Sequence, residues 1–373
     1  MTIVVDGGKF VAVAPSAEIT PGRGARVVDV AGRYVIPGLV DSHQNIATPP
    51  DRATAEAVLR RQVHSGVTVI RSMADDLRQV GDLARATLVG EIAGPDIVYA
   101  ALMAGPEFFV DPRTIAVSQG EIPGSVPWMQ AITPETDLSL AVAMARGTGA
   151  RAIKLYADLP AETVTAIVAE AHRQGVLVWA HTAVFPAMPR DVVAAGVDVV
   201  SHVGMFAYAG SAHSPTSYAD KKPIGAAELE GALDPQIDAL VRQMSRQGTI
   251  LDATANLYRR RDDARDRNDG RPSEAAFAAR LVQEAHRAGT EISAGTDYET
   301  GPDDPFPALY QELEFLVKEC GLTPGEVLRS ATLVGARAAG AGDSRGSIEV
   351  GKIAGFVVLA EDPLEDVSNL RSA

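Results

Sequence analysis

Six polar side chains of the sequence have the types and the spacing for metal-dependent chemistry. Each stands at or just after a short apolar run that favours a strand, and together they are His43, Asn45, Lys154, His181, His202 and Asp297. A lone histidine at a strand end is usually a packing residue, but three histidines, an aspartate and a lysine at several strand ends form a set. Imidazole and carboxylate groups suit Zn²⁺ and similar divalent ions. The set therefore predicts a metal site, with zinc as the expected ion.

Lys154 needs a separate explanation, because a protonated ammonium group repels metal ions and is costly in the apolar segment RAIKLYA unless it is paired. A lysine that two nearby cations keep deprotonated can add CO₂ and become a carbamate, which is an anionic bridge between metals. The alternative is an ordinary salt bridge between Lys154 and Asp297. The residues themselves leave both interpretations open.

The chain between about residues 35 and 300 alternates β-branched runs with amphipathic helical patterns, which is typical of a parallel sheet built from βα units. Eight such strands predict a (β/α)₈ barrel of the α/β class, whose catalytic residues lie at the C-terminal strand ends. His64, His172 and His286 precede strands and are therefore expected to be structural. The strands are predicted at 34–40, 68–71, 97–100, 152–156, 176–181, 197–202, 249–254 and 291–296.

The two ends of the chain differ from this pattern and read as short strands joined by turns. We expect residues 1–34 and 341–373 to form one small β-subdomain beside a barrel of residues 35–340. Three βα loops are long, and long loops on one face of a barrel suggest lids or substrate walls. They are 101–134, 203–233, which carries Tyr208, His213 and Tyr218, and 256–272, expected to be chiefly a solvated loop of mixed charge.

Composition limits the classes of partner. A formal net charge of −14 at pH 7 argues against nucleic acid, whose phosphates need a basic surface. Cys320 is the one cysteine, so an internal disulfide is excluded. The start MTIVVDGG lacks the basic and apolar regions of a secretory signal, and no apolar run reaches membrane-spanning length. We expect a cytoplasmic enzyme of small molecules, without a membrane partner, and a homo-oligomer from the frequency of symmetric dimers among such proteins.

Five motifs in order resemble the amidohydrolase superfamily: VIPGLVDSH, IKLY, WAHT, VSHVG and AGTD. The tail from GLTPGEVLRSATLVGARAAG to GSIEVGKIAGFVVLAEDPLEDV is similar to the imidazolonepropionase-like and prolidase-like branch. The resemblance covers nearly the whole chain. It implies a (β/α)₈ barrel with a flanking β-subdomain and one or two divalent metal ions.

The resemblance also implies a role for each site residue. His43 and Asp297 would bind the more buried metal, His181 and His202 the outer one, and carbamylated Lys154 would bridge them. Asp297 would take a proton from the metal-bound water and pass it to the leaving group. The expected reaction is hydrolysis of a C–N bond, amide or peptide-like, in a small molecule.

Asn45 departs from this pattern, because it stands where the superfamily has the second histidine of a His-x-His motif. Three outcomes stay open. Asn45 ligates weakly through its amide oxygen; or the buried site is lost and one metal binds His181, His202 and Lys154; or no catalytic metal binds and the reaction has changed.

Two stretches expected at the pocket mouth also differ from the usual pattern of the branch. Arg71-Ser72 stands where an Arg-Asp pair is usual, and MAGPEFFVDP stands where a Gly-Gly-His stretch is usual. Besides a hydrolase, these changes keep open a decarboxylase, dehydratase or cyclase on the same scaffold, and a catalytically dead binding protein. Phe108, Phe109 and Trp128 are expected either to cap an apolar substrate or only to pack the lid. The candidate substrate-binding residues are Arg71, Phe108, Phe109, Trp128, Tyr156 and Tyr208.

Overall fold

The computed structural model describes residues 1–47, 51–211, 214–265, 270–298, 301 and 303–373. Its strands in chain order are β1 (Thr2–Asp6), β2 (Lys9–Ala14), β3 (Tyr34–Pro37), β4 (Leu39–Gln44), β5 (Val67–Ser72), β6 (Asp96–Ala104), β7 (Ser125–Val126), β8 (Met129–Ala131), β9 (Ala152–Leu155), β10 (Leu177–His181), β11 (Val199–Ser201), β12 (Ile250–Asp252), β13 (Ile292–Ser293) and β14 (Phe356–Leu359).

Eight parallel strands form the barrel in the order β4-β5-β6-β9-β10-β11-β12-β13. The ring closes between the last strand and the first, because the Ser42 amide donates to the Ala294 carbonyl and the Asp297 amide donates to the His43 carbonyl, both at 2.9 Å. The predicted (β/α)₈ barrel is confirmed. All strand C-termini consequently meet at one mouth.

The helices surround the barrel and begin at ordinary caps. The side chains of Asp51, Asp137 and Asp234 each accept a hydrogen bond from a backbone amide of the following first turn. The helices are α1 (Arg52–His64), α2 (Leu77–Leu88), α3 (Pro112–Ser118), α4 (Leu138–Gly147), α5 (Ala161–Arg173), α6 (Pro189–Ala194), α7 (Ala226–Glu230), α8 (Pro235–Gln247), α9 (Ala255–Ala264), α10 (Glu274–Arg287), α11 (Leu309–Lys318), α12 (Pro324–Arg329) and α13 (Gly335–Ala338). In the described part of the chain no helix is long and apolar enough to cross a membrane.

The flanking β-subdomain contains both ends of the chain. Strand β1 pairs with β2, and β3 pairs with β14, both antiparallel. Strand β2 is joined to the segment that leads into β14, because the Phe10 amide donates to the Lys352 carbonyl at 2.9 Å. This confirms a small β-subdomain from both termini, whereas the division at residues 34/35 and 340/341 stays a prediction.

The first predicted strand, 34–40, is wrong as a single element. Residues Tyr34–Pro37 pair with β14 in the flanking sheet, and the barrel strand is Leu39–Gln44. The change of partner falls at Gly38, where a Cβ atom would lie 2.2 Å from the Thr68 hydroxyl oxygen. The Pro37-Gly38 pair therefore separates two strands that the sequence pattern merges.

All three predicted long loops also contain regular structure, and 203–233 includes helix α7. Strand β6 continues to Ala104, and a hairpin of β7 and β8 adds to its edge within 101–134. The segment 256–272 is not chiefly a loop, because α9 runs to Ala264, and residues 266–269 lie outside the described residues. His213 of the loop 203–233 lies outside them too.

Candidate active site

One cavity opens at the barrel mouth, with a volume of about 450 Å³. This is enough space for a small molecule. The six candidate site residues all line it: His43, Asn45, Lys154, His181, His202 and Asp297. His64, His172 and His286 do not, and His172 and His286 pair instead with Asp198 and Glu326.

His43, His202 and Asp297 form the tightest part of the cluster. The His43 Nε2 atom lies 3.1 Å from one carboxylate oxygen of Asp297, and the His202 Nδ1 atom lies 3.6 Å from the other. One ligand atom from each of the three residues lies within 4.8 Å of the other two. His181 extends the cluster, since its ring centroid is 4.7 Å from that of His202. This arrangement suits a divalent metal ion between the side chains.

Three polar atoms at the cavity are buried without a hydrogen-bond partner among the described residues. They are the Nζ of Lys154, the Nδ1 of His181 and the Oδ1 of Asn45. Buried polar atoms are normally satisfied, so each unsatisfied one needs an explanation. Donor atoms that face a shared cavity and have no protein partner fit a bound metal ion. For Asn45 the observation is compatible with ligation by the amide oxygen.

Burial and neighbouring charges set the protonation of these groups. Burial lowers the pKa of Lys154 to about 7 and that of His202 to about 3. Burial and the Lys154 charge hold the pKa of His181 well below its ordinary value. Burial opposes ionisation of Asp297 too, but the charges of His43 and His202 outweigh it and lower its pKa. Burial opposes the charged form of His43 as well, but Asp297 and Asp252 outweigh it and raise the pKa of His43. Two neutral imidazoles, an ionised carboxylate and a readily deprotonated amine favour metal binding, and a neutral amine is the form that adds CO₂.

The salt bridge considered for Lys154 does not form. In the described residues no carboxylate lies within ion-pair distance of its Nζ atom, and Asp297 faces His43 and His202 instead.

Asp252 fixes the orientation of His43 from below. One oxygen of Asp252, Oδ2, lies 2.6 Å from the His43 Nδ1 atom and also accepts hydrogen bonds from Arg71 and Ser201, both at 2.8 Å. Asp252 and Arg71 are completely buried. With Nδ1 held by a carboxylate, Nε2 is the atom that His43 presents to the cavity, and such carboxylate partners raise the basicity of a histidine ligand.

Two further aspartates hold the backbone around the site. Asp75 accepts hydrogen bonds from the amides of Ile46 and Ala47, at 2.9 and 3.2 Å, and so fixes the segment after Asn45. Asp41 accepts from the Thr296 hydroxyl at 3.0 Å, directly before Asp297. The first and last barrel strands are thereby fixed at the level of the cavity.

The backbone at the strand ends is unusual. His202, Thr254 and Asp297 have positive φ values of 74°, 45° and 53°. Side-chain-bearing residues rarely adopt this region, and such strain concentrates at functional sites. Gly295 of the AGTD motif has a steric role, because a Cβ atom there would lie 2.2 Å from Asp252 and 2.8 Å from the Cβ of His43.

The candidate substrate-binding residues divide into two groups. Tyr156 and Tyr208 line the cavity. Phe108, Phe109, Trp128 and Arg71 are buried and do not line it. Phe108 stacks behind Tyr156 with 4.5 Å between ring centroids, so it packs the wall rather than forming its surface. This placement does not support substrate contact by the four buried residues, and that contact stays an untested prediction.

Sequence reasoning missed other residues of the cavity wall. Lys221 comes from the loop 203–233, Arg113 from α3, and Tyr258 from α9. Tyr218, which the sequence had singled out in the same loop, lines the cavity as well. Asp252 could have been found, since it ends an apolar run within the predicted strand 249–254. For Lys221 the signal was weak, namely a pair of lysines in a long loop.

Comparison with known proteins gives one family and several relatives. The model of the amidohydrolase family matches residues 34–373. An imidazolonepropionase of Pseudomonas putida is 26% identical over 95% of this chain and 86% of its own length. Adenine deaminase 3 of Rhizobium meliloti is 32% identical, but the match spans 24% of this chain and only 15% of that protein.

A solved structure of a Xaa-Pro dipeptidase with methionine bound in its active site superposes with a TM-score of 0.71. The match covers 99% of this chain and 91% of that one at 21% identity. At this identity the likeness shows the shared barrel fold.

Proposed function

The chain belongs to the amidohydrolase family, and on this premise we propose that it is a metal-dependent hydrolase that cleaves a C–N bond of a small molecule. The family and the relatives indicate a hydrolase acting on C–N bonds. The metal dependence, the roles of single residues and the substrate are our proposal. The observation that carries it is the convergence of three imidazoles, one carboxylate and a partnerless buried lysine on one cavity.

His43 and Asp297 would hold the more buried of two divalent ions, and His181 and His202 the outer one. A carbamate on Lys154 would bridge them. A bound ion supplies a water acidified to near neutrality and polarises the substrate carbonyl. Zinc is the expected metal, because imidazole nitrogens dominate the donor set.

We assign the proton transfer to Asp297. Its two oxygens face His43 and His202, and its lowered pKa keeps it ionised. The carboxylate accepts the proton of the attacking water and then donates it to the leaving nitrogen, which completes the hydrolysis. His43 is held by Asp252 and serves as a fixed ligand rather than as the base.

The number of metal ions depends on Asn45. If its amide oxygen ligates, two ions bind and the buried one binds more weakly than a His-x-His motif would allow. If it does not, one ion binds through His181, His202 and Lys154. Ligand number governs affinity, so metal analysis separates these possibilities.

The test is metal content together with hydrolysis. We expect the purified chain to contain about one or two equivalents of metal, and a chelator to abolish hydrolysis of a panel of dipeptides, N-acyl amino acids and cyclic amides, with recovery on adding zinc. Lys154→Ala should lose activity without rescue by bicarbonate, whereas Lys318→Ala on the exposed face of α11 is the matched control. Absence of metal, or turnover that a chelator leaves unchanged, would contradict the proposal.

A second candidate function is a non-hydrolytic reaction such as decarboxylation, dehydration or cyclisation, and Asn45 is the observation that favours it. Incorporation of labelled oxygen from H₂¹⁸O into the product separates the two, because hydrolysis incorporates one oxygen atom. Cytoplasmic location and a homo-oligomeric state stay predictions from the sequence.

A further inference from the structure

The wall of the active-site cavity has the opposite charge balance to the chain as a whole. The protein carries 48 acidic against 34 basic side chains. Among the described residues that line the cavity, two are acidic, Glu274 and Asp297. Apart from Lys154, which is proposed to carry a carbamate, five are basic: Arg113, Lys221, Lys222, Arg261 and Arg271. A local cationic wall in an acidic protein indicates an anionic ligand.

Lys221 is the most informative of these cations. It is half-buried, and its Nζ atom lies 3.1 Å from the centroid of the Tyr218 ring. No carboxylate of the described chain lies within ion-pair distance of it, although the charges of Asp111 and Asp158 are close enough for Lys221 to affect their pKa values. A partly desolvated cation without a carboxylate partner is costly, and a carboxylate supplied by a ligand would offset that cost.

Arg113 of α3 contributes to the cavity wall together with Lys221. Two of its nitrogens donate hydrogen bonds to the Asp111 carboxylate, and the third, Nη1, donates to the Tyr156 hydroxyl at 3.2 Å. The Tyr156 hydroxyl group accepts this hydrogen bond and still has its own proton to donate. Beside Lys221 this gives a second donor for an anion.

A short aromatic path joins this cationic place to the metal-ligand candidates. The Tyr218 ring centroid is 5.9 Å from that of Tyr156 and 6.2 Å from that of His181. The ring centroids of Tyr156 and His181 are 4.2 Å apart. Tyr218 thus neighbours both Lys221 and His181, so a group bound at Lys221 lies on the same part of the cavity wall as a proposed outer metal ligand.

We propose that Lys221, Tyr156 and Arg113 form a carboxylate subsite, so that the substrate is a small amide with a carboxylate close to the scissile C–N bond. The inference rests on the proposed function and specifies its substrate class. The carboxylate forms charge-assisted hydrogen bonds at Lys221, while the aromatic rings of Tyr156 and Tyr218 enclose the neighbouring part of the substrate. A neutral amide of the same shape leaves Lys221 unpaired and binds more weakly.

The experiment is a binding comparison of acids with their neutral counterparts. The probes are N-acetyl-L-phenylalanine, N-acetyl-L-leucine and glycyl-L-leucine, each against its C-terminal carboxamide, titrated into the full-length chain by calorimetry. In at least one pair we expect the acid to bind about tenfold more tightly, which corresponds to about 1.4 kcal/mol.

Matched variants assign the preference to Lys221. Lys221→Met should abolish the preference for the acid, and Lys221→Arg should retain most of it, which a purely structural role for the side chain does not predict. Arg113→Met should reduce the preference, and Lys318→Met, far from the cavity, should leave it unchanged. Unfolding curves of each variant confirm that the fold is intact.

Two results would overturn the inference: no acid binding more tightly than its carboxamide in any pair, or a preference that survives in Lys221→Met. Both concern binding and do not depend on turnover. An acid preference in a chain without metal-dependent hydrolysis would instead refute the proposed function alone.

Discussion

Asp252→Asn is the sharpest test of how the barrel interior controls the site. The three donors His43, Arg71 and Ser201 all reach the same oxygen, Oδ2, whereas the Oδ1 atom has no partner in the described chain. An asparagine can place its amide oxygen at the Oδ2 position and keep all three acceptor contacts. The substitution therefore removes the charge and leaves the geometry nearly unchanged.

Two effects of known size follow. Removing a carboxylate that orients a histidine ligand lowers metal affinity by about 10- to 100-fold. Leaving the buried Arg71 without its partner costs about 3–5 kcal/mol of stability, as for other broken buried pairs. Arg71→Met breaks the same ion pair but keeps the carboxylate on His43, so it should lower stability without a comparable loss of affinity.

The assay is zinc binding by competition with a chelator, beside urea unfolding of the same samples. We expect Asp252→Asn to lose affinity and stability, and Arg71→Met to lose mainly stability. The double variant Asp252→Asn/Arg71→Met carries neither buried charge and should recover part of the stability while its affinity stays low. A folded Asp252→Asn chain with wild-type zinc affinity would refute the role given to Asp252.

Two further predictions concern other positions. Asn45→His should raise zinc affinity by about tenfold or more, since even residues that only orient ligands change it by such factors; equal metal content in wild type, Asn45→His and Asn45→Ala would show that position 45 does not ligate. Glu312 of α11 is fully buried against the start of α9, and burial raises its pKa from 4.5 to about 8. The folded chain thus binds the extra proton between these values, so stability falls as pH rises through this window, and Glu312→Gln should remove that fall. In urea unfolding, the stability of Glu312→Gln relative to wild type should increase from pH 5 to pH 9. A difference in the free energy of unfolding that stays constant over this range would contradict the prediction.

The sequence was enough to predict that six side chains share one cavity, because parallel barrel strands all end at the same mouth. His43, His181 and Asp297 needed only the recognition of their strands. The same rule failed for Asp252, which looked like part of an apolar run although its side chain points to the site. The chemical roles of all these residues stay predictions.

Tertiary contacts explain the larger failures. The stretch NLYRRRDDA is rich in charge and suggests a loop, yet it is helix α9. Its first amides, at Ala255 and Asn256, donate to the Glu312 carboxyl group at 2.9 and 2.6 Å. A cap supplied from α11 cannot be read from the local pattern. The loop 203–233 was expected as a lid or substrate wall, but the part that Lys221 plays in it was missed for the same reason, since long loops pack by contacts distant in sequence.

The pairing of β3 with β14 has a consequence for biosynthesis. Tyr34 lies opposite Leu359, and the strand that continues from β3 carries His43. During translation, β3 is synthesised more than 300 residues before β14, the strand with which it pairs. Loss of β14 would leave β3 as an exposed edge directly beside the first barrel strand. The emerging chain thus completes its flanking sheet last, and nonsense mutations after Asp297 but before Phe356 should yield aggregation-prone products even though every candidate ligand is present.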